Sequence, residues 1–139
     1  MSRQNVELVL RGYQAFVAGD LLAVGELLDP EIEWHGVDGE DSASNLEEVR
    51  RMLSDRAEDD LRVELERAIG KGDEVLVAFR ASGVQKDETD ERPLQTRRYF
   101  TVAHYCGIVT VRDGRIARVQ DYPHVRAAMA ALDLDEDHV

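Results

Sequence analysis

The sequence predicts an α+β domain in which a cone-shaped, curved antiparallel sheet packs against three N-terminal helices. In the first half of the chain, apolar residues recur at helical spacings of three and four in three segments. In the second half, apolar and polar residues alternate with the period of two that is typical of β-strands. Helices segregated to one side of an antiparallel sheet define this fold class. A length of 139 residues predicts one domain, over 1–139.

Capping signals mark where the three predicted helices begin. Ser2 can cap the first helix, and Gly19 ends it. Asp20 can cap a second, short helix. Ser44 and Glu47 have the spacing of a capping box that opens the third helix. The apolar stripe of the first helix consists of Val6, Val9, Leu10, Tyr13, Phe16 and Val17.

The strands are predicted from alternation and from the turn residues between them. A short strand contains Ile32 and Trp34, and a polar, glycine-containing loop follows over 36–43. Asp113-Gly114 lies between two alternating runs and predicts a tight hairpin, because both residues tolerate positive φ. The remaining predicted segments are a strand with Val63, Leu65 and Ile69, a turn over 70–73, a strand with Val75, Val77, Phe79 and Ala81, a charged loop over 86–96, strands over 97–112 and 115–122, and a short helix or turn over 125–134.

Composition excludes several classes of partner. The chain has 29 acidic and 17 basic residues, a net charge of −12, which repels phosphate backbones and anionic lipid. We therefore expect no nucleic-acid partner and no membrane association. The apolar runs are too short to span a bilayer, the N-terminus lacks a signal-peptide core, and the single cysteine permits no internal disulfide. A cytoplasmic protein is expected. The histidines lack metal-binding spacing, so no metal and no cofactor is expected.

The pairing of the last two strands follows from the hairpin turn. If Asp113-Gly114 is a two-residue turn, Arg112 pairs with Arg115. Uninterrupted pairing then places Thr110 opposite Ala117, Ile108 opposite Val119, Cys106 opposite Asp121 and His104 opposite Pro123. Side chains on alternate residues share a face, so the predicted buried row contains Phe100, Val102, Ile108 and Val119.

His104 and Asp121 interrupt this predicted buried row as diagonal neighbours, about 7–8 Å apart at the backbone. A desolvated carboxylate is suited to act as a general base, and a histidine can hold it or polarise a substrate oxygen. These two residues are the predicted catalytic pair. The alternatives are a structural His104–Asp121 pair, a capping role for Asp121 near the strand end, or a satisfied core histidine. A one-residue change in the turn would reverse the faces.

The residues predicted to bind substrate are mostly apolar. Core packing is the simpler interpretation of Tyr13, Phe16 and Trp34, although a tyrosine hydroxyl at a pocket mouth can orient a ligand. Cys106 is expected to be a small buried hydrophobe rather than a nucleophile, because an opposed carboxylate disfavours the thiolate. Val119 belongs to the predicted buried row. A pocket wall formed by these five residues is predicted.

The chain resembles the SnoaL-like family of the nuclear transport factor 2-like superfamily. Tyr13, Phe16, 19–21 (Gly-Asp-Leu) and 27–34 (Leu-Leu-Asp-Pro-Glu-Ile-Glu-Trp) are similar to its opening segment, and 111–116 with 121–123 to its closing hairpin. The resemblance implies a cone with a deep pocket between sheet and helices, a homodimer formed through the sheet, and Asp121 as the base. Relatives include polyketide cyclases, ketosteroid isomerases, limonene epoxide hydrolases and scytalone dehydratases. The segment over 36–43 and the acidic loop over 86–96 depart from the family pattern.

Three functions are compatible with these observations. The first is a cofactor-independent cyclase, isomerase or lyase in which Asp121 removes a proton next to a carbonyl, while His104 orients Asp121 or stabilises the enolate. In an epoxide-opening variant, the carboxylate instead activates water. The second is a non-catalytic module that binds a small apolar molecule. The third is a structural dimer whose cavity is filled by its own side chains. Fold alone does not distinguish them.

Overall fold

The computed structural model describes residues 2–37, 42–57, 60–86 and 98–134. These residues confirm the α+β class, with helices beside a curved five-stranded sheet. The elements are α1 (Ser2–Val17), α2 (Leu21–Glu26), β1 (Leu28–His35), α3 (Leu46–Ala57), β2 (Asp60–Lys71), β3 (Glu74–Lys86), β4 (Arg98–Arg112), β5 (Arg115–Tyr122) and α4 (Val125–Ala131). Most of the predicted charged loop, residues 87–96, lies outside the described residues. None of the described helices has the length and apolarity needed to cross a membrane.

The sheet has the strand order β1-β5-β4-β3-β2. Strands β2 to β5 form the predicted antiparallel meander. The short first strand, β1, lies outside this meander and pairs with β5 in parallel at one edge of the sheet. This pairing joins β1 to β5, and it brings residues 85 to 88 positions apart in sequence side by side.

Both faces of the sheet are covered near its centre. We call the side packed against α1, α2 and α3 the inner face; its buried strand residues are Leu28, Ile32, Val75, Val77, Val109, Val111, Ile116 and Val119. We call the side packed against α4 the outer face; its buried strand residues are Leu76, Ala78, Cys106 and Ile108. The single buried row predicted for the last hairpin is therefore wrong, since Ile108 and Val119 are both buried but on opposite faces.

The helix ends follow the predicted chemistry with one correction. Gly19 ends α1 at φ 77°, and Asp20 Oδ1 accepts a hydrogen bond from the backbone N–H of Ala23 at 3.1 Å. The capping box of α3 is shifted by one residue from the predicted Ser44 and Glu47. Asn45 Oδ1 accepts from the N–H of Glu48 at 2.9 Å, and the Glu48 carboxylate accepts from the N–H of Ser44 at 2.9 Å.

Gly12 lies inside α1, where glycine is unfavourable. A Cβ added there would meet Ile116 Cδ1 and Leu27 Cδ1 at 3.7 Å, which is ordinary van der Waals contact. We therefore expect Gly12→Ala to stabilise the protein by up to about 1 kcal/mol, through lower backbone entropy in the unfolded chain. Thermal unfolding of the variant and the wild type measures this difference. A lower melting temperature would show that the space beside α1 is tighter than the structure indicates.

The β4–β5 hairpin has the predicted turn but not the predicted pairing throughout. Asp113 and Gly114 have φ of 52° and 75°, and Arg112 pairs with Arg115. Val111 still pairs with Ile116, but Thr110 pairs with Arg118. Ala117 is therefore the extra residue of a β-bulge, and every pair beyond it is displaced by one position.

Candidate functional site

The bulge at Ala117 turns the Asp121 side chain to the inner face. Beyond the bulge, Val109 pairs with Val119, and Gly107 pairs with Asp121. The predicted pairing of Cys106 with Asp121 is wrong, because Cys106 pairs with Tyr122. Asp121 thus follows Val119 along the inner face, and it is half-buried there.

The structure does not bring His104 to Asp121. His104 pairs with Arg80 on the outer face, and its side chain is 67% exposed. Its Nδ1 lies 3.1 Å from Glu66 Oε1, so its partner is an exposed carboxylate of β2. The prediction of a buried His104–Asp121 pair is therefore wrong. The physical reason is the bulge, which places the two side chains on opposite sides of the sheet.

Trp34 is one hydrogen-bond partner of Asp121. Its indole Nε1–H donates a hydrogen bond to Asp121 Oδ2 at 2.9 Å. The Trp34 backbone is fixed on both edges, because it pairs with Val119 of β5 and forms an isolated bridge with Ala43. The two hydrogen bonds of that bridge measure 2.7 and 2.8 Å. Ala43, the last residue of the predicted loop, thus fastens this tryptophan on the edge opposite β5.

Gly107 provides the space into which the Asp121 carboxylate leans. A Cβ at position 107 would lie 3.3 Å from Asp121 Oδ1 and 3.0 Å from the backbone oxygen of Gln120. Asp121 Oδ2 is bonded to Trp34 of β1 on one side of β5, and Asp121 Oδ1 lies on the other side, next to β4. The carboxylate is therefore oriented by residues from the two strands that flank β5.

An aromatic pair lies next to this carboxylate on the inner face. Phe79 and Tyr105 are paired residues of β3 and β4, with ring centroids 5.7 Å apart and ring planes inclined by 29°. Tyr105 is two residues from Gly107, which makes it a diagonal neighbour of Asp121. Tyr105 is 48% exposed, which is unusual for a large aromatic ring on a face covered by helices. Tyr105 lies outside the predicted buried row of the last hairpin, so this pair was not predicted from the sequence.

The other residues predicted to line a pocket separate into two groups. Phe16 packs against the core of the inner face, and Val119 is buried within it. Tyr13 is half-buried, and its hydroxyl donates to the backbone oxygen of Val63 at 2.8 Å, which ties α1 to β2. Cys106 is buried on the outer face against α4, so the prediction that it shares a wall with Val119 is wrong. The substrate-binding roles of Tyr13, Phe16, Cys106 and Val119 stay predictions.

Cys106 has the environment of an unreactive thiol. Burial raises the pKa of the Cys106 thiol above its ordinary value, and the nearby negative charge of Asp121 raises the pKa further. The Sγ atom donates to the backbone oxygen of Tyr122 at 3.4 Å. The predicted role as a small buried hydrophobe agrees with this environment.

We expect Cys106 to react with a thiol reagent roughly tenfold or more slowly in the native protein than in denaturant, because a raised pKa leaves little thiolate and burial blocks access. The protection should persist as the pH rises to about 8.5, the ordinary pKa of a thiol. Following the absorbance of a disulfide reagent measures both rates. Equal rates in the two states would contradict the buried position.

Within the described ranges, no group of three or more His, Cys, Asp or Glu side chains is arranged to hold a metal ion. The site defined by these residues consists of the Asp121 carboxylate, the Trp34 indole, the space at Gly107, and the Phe79–Tyr105 pair. Such an arrangement offers one proton acceptor beside aromatic surface.

The sequence profile of the SnoaL-like domain family matches residues 9–119. No curated protein matches the chain significantly. Among solved structures, a proposed SnoaL-like polyketide cyclase from Jannaschia sp. CCS1 is 21% identical with a TM-score of 0.73, and the match covers 96% of this chain and 94% of that one.

Two further structures with the same fold differ in their assigned activities. An LEH-like epoxide hydrolase from M. tuberculosis is 18% identical with a TM-score of 0.67, covering 94% of this chain and 90% of that one. AclR, a proposed hydroxylase from Streptomyces galilaeus, is 16% identical with a TM-score of 0.70, covering 96% and 98%. Identities this low show a shared fold and do not assign a reaction. The profile match spans most of the chain, and the protein therefore belongs to the SnoaL-like domain family.

Proposed function

We propose that the protein is a cofactor-independent enzyme of the cyclase, isomerase or lyase type, with Asp121 as general base on an apolar substrate that contains a carbonyl group. The observation that carries the proposal is the place of Asp121. It is a half-buried carboxylate on the inner face, fixed by the Trp34 indole at 2.9 Å and adjoining exposed aromatic surface. Membership of the SnoaL-like family is consistent with this proposal.

In the proposed reaction, Asp121 takes a proton from the carbon next to the substrate carbonyl. The C–H electron pair forms a new C=C bond, and the carbonyl π electrons move to oxygen to give an enolate. In a cyclisation, the enolate carbon then attacks a second carbonyl carbon of the same molecule, the π electrons of that carbonyl move to its oxygen, and this oxygen takes the proton from Asp121. In an isomerisation, the proton returns from Asp121 to another carbon of the conjugated enolate. Proton abstraction by a positioned base contributes on the order of 10²–10⁴-fold. The catalytic role predicted for His104 is not part of this proposal, because its ring lies on the outer face.

The aromatic pair supports an apolar ligand. Rings of Phe79 and Tyr105 offer a surface on which an unsaturated carbonyl compound can stack. The strand residues that adjoin Asp121 on this face include Gly107, Val109 and Val119, all uncharged. A ligand in contact with them places its reacting carbon near a carboxylate that is partly removed from water, which favours proton transfer to that carboxylate.

A panel of aromatic ketones, steroid-like enones and small epoxides tests the proposal. Trp34 is the single tryptophan of the chain, so a change in its fluorescence reports binding near Asp121. Incubation in D₂O followed by NMR detects exchange of the proton next to the carbonyl, even without net conversion. We expect exchange or conversion with the wild type and loss of both in Asp121→Asn.

The alternatives give different results in the same assay. Fluorescence changes without exchange or conversion would identify a non-catalytic binding module. Conversion of epoxides alone would indicate a carboxylate that activates water. No binding across the panel would favour a structural role, in which the homodimer formed through the sheet stays a prediction.

A further inference from the structure

Gly107 occupies a strand position that disfavours glycine. A glycine inside a strand weakens it, because the residue loses more backbone entropy on folding and has no side chain to pack. A positive φ would explain glycine, but among the described glycines positive φ occurs at Gly19, Gly72 and Gly114. The backbone conformation therefore does not require glycine at position 107. We look for the explanation in the space that a side chain at this position would occupy.

That space is taken by the carboxylate of Asp121. A Cβ at position 107 would be 3.3 Å from Asp121 Oδ1 and 3.0 Å from the Gln120 backbone oxygen. A flexible carboxylate can move aside, but a backbone oxygen in a paired strand moves only with the strand. Any larger residue at position 107 would therefore displace the carboxylate, the strand or both.

The two oxygens of Asp121 have different neighbours. Oδ2 accepts the Trp34 indole N–H from the β1 side, whereas Oδ1 lies over Gly107 on the β4 side. The exposed Tyr105 ring lies on that same β4 side, one diagonal step from Asp121. A carboxylate held in this way has Oδ1 on the β4 side, and β4 is also the strand that carries Tyr105.

We infer that Trp34 and Gly107 are positioning residues for Asp121: the indole fixes Oδ2, and the missing side chain lets Oδ1 lie over β4, where a ligand stacked on Phe79 and Tyr105 meets it. The consequence for turnover rests on the proposed function, but the positioning of the carboxylate does not. Neither residue needs to touch the substrate for this role.

NMR of the indole N–H tests the positioning without any substrate, because a single tryptophan gives a single indole resonance. A hydrogen bond to a carboxylate moves this resonance downfield, and Asp121→Ala gives the reference position without the acceptor. In Gly107→Ala we expect the resonance to move at least halfway toward that reference. Gly12→Ala is the matched control, since its Cβ meets ordinary contacts, and we expect no shift.

An indole resonance in folded Gly107→Ala that coincides with the wild type would overturn the inference. If Gly107→Ala does not fold, Trp34→Phe tests whether the indole positions Asp121, because this variant removes the N–H donor and keeps an aromatic ring. The ¹³Cγ resonance of Asp121 is identified by its loss in Asp121→Asn. We expect its titration midpoint in Trp34→Phe to move to higher pH, because a bond to the charged form is lost. An unchanged midpoint would overturn the role of Trp34.

Kinetics separate positioning from packing, using a substrate identified with the wild type. We expect Trp34→Phe to lower kcat by roughly tenfold or more while KM changes less than about twofold, as misplacement of a base does. A change confined to KM would show that Trp34 binds substrate instead. Absence of turnover by the wild-type protein would reject the proposed function. The indole N–H resonance of Trp34 and the ¹³Cγ resonance of Asp121 would still test whether the carboxylate is positioned by Trp34 and Gly107.

Discussion

Replacing Asp121 with asparagine is expected to lower kcat for any substrate of this protein by on the order of 10²–10⁴-fold, the contribution of a positioned general base. The amide has nearly the same shape as the carboxylate, and its oxygen can still accept the Trp34 N–H that now reaches Oδ2 at 2.9 Å. The variant should therefore fold and bind ligand, because it loses the basic oxygen rather than the contacts. Single-turnover and steady-state rates measure the loss.

Asp113→Asn is the matched control for this experiment. It makes the same chemical change at an exposed turn residue with φ 52°, a conformation that asparagine tolerates well. We expect wild-type kcat from this control. A kcat for Asp121→Asn within twofold of the wild type would remove Asp121 from the mechanism and leave the fold without its predicted base.

Replacing Ile32 with alanine is expected to destabilise the protein by about 2–5 kcal/mol, because it removes three buried carbons and leaves a cavity. Ile32 is fully buried in the inner-face core, two residues before Trp34 on β1. Folded domains are stable by about 5–15 kcal/mol, so this single change removes a large fraction of the total. Urea unfolding of both proteins measures the difference in free energy.

Two controls define the cause of this loss. Ile32→Val removes one carbon and should cost about 0.5–1.5 kcal/mol. Leu22→Ala removes the same kind of surface from a residue of α2 that is 70% exposed, and it should change stability by less than about 0.5 kcal/mol. A similar cost for Ile32→Ala and Leu22→Ala would mean that Ile32 does not lie in a packed core.

Local signals in the sequence predicted the elements well, because each depends on neighbouring residues. The Asp113-Gly114 turn has the φ values that its chemistry requires, and β5 has the predicted bounds, Arg115–Tyr122. Asp20 caps α2 as predicted. In α3, two adjacent residues, Ser44 and Asn45, could both begin the helix, and the spacing rule alone did not distinguish them.

The site was less predictable, because it depends on pairing between distant strands. A bulge at Ala117 has no glycine or other marker in the sequence, yet it reverses the face of Asp121. One signal was available: the nearly continuous apolar run over 106–111 indicates a strand covered on both faces. The bond between Trp34 and Asp121 spans 87 positions and follows from the parallel edge, which alternation does not reveal.

The extra residue at Ala117 also makes the side of the sheet on which Asp121 lies sensitive to the length of β5. Uninterrupted pairing of the same residues would turn the acid to the outer face opposite Cys106, whereas deletion of Ala117 itself would leave the acid opposite Gly107 on the inner face. Deletion of one residue between Ala117 and Asp121, with the bulge retained, would move the acid to the outer face. A single codon in this strand therefore decides which side of the sheet carries the carboxylate.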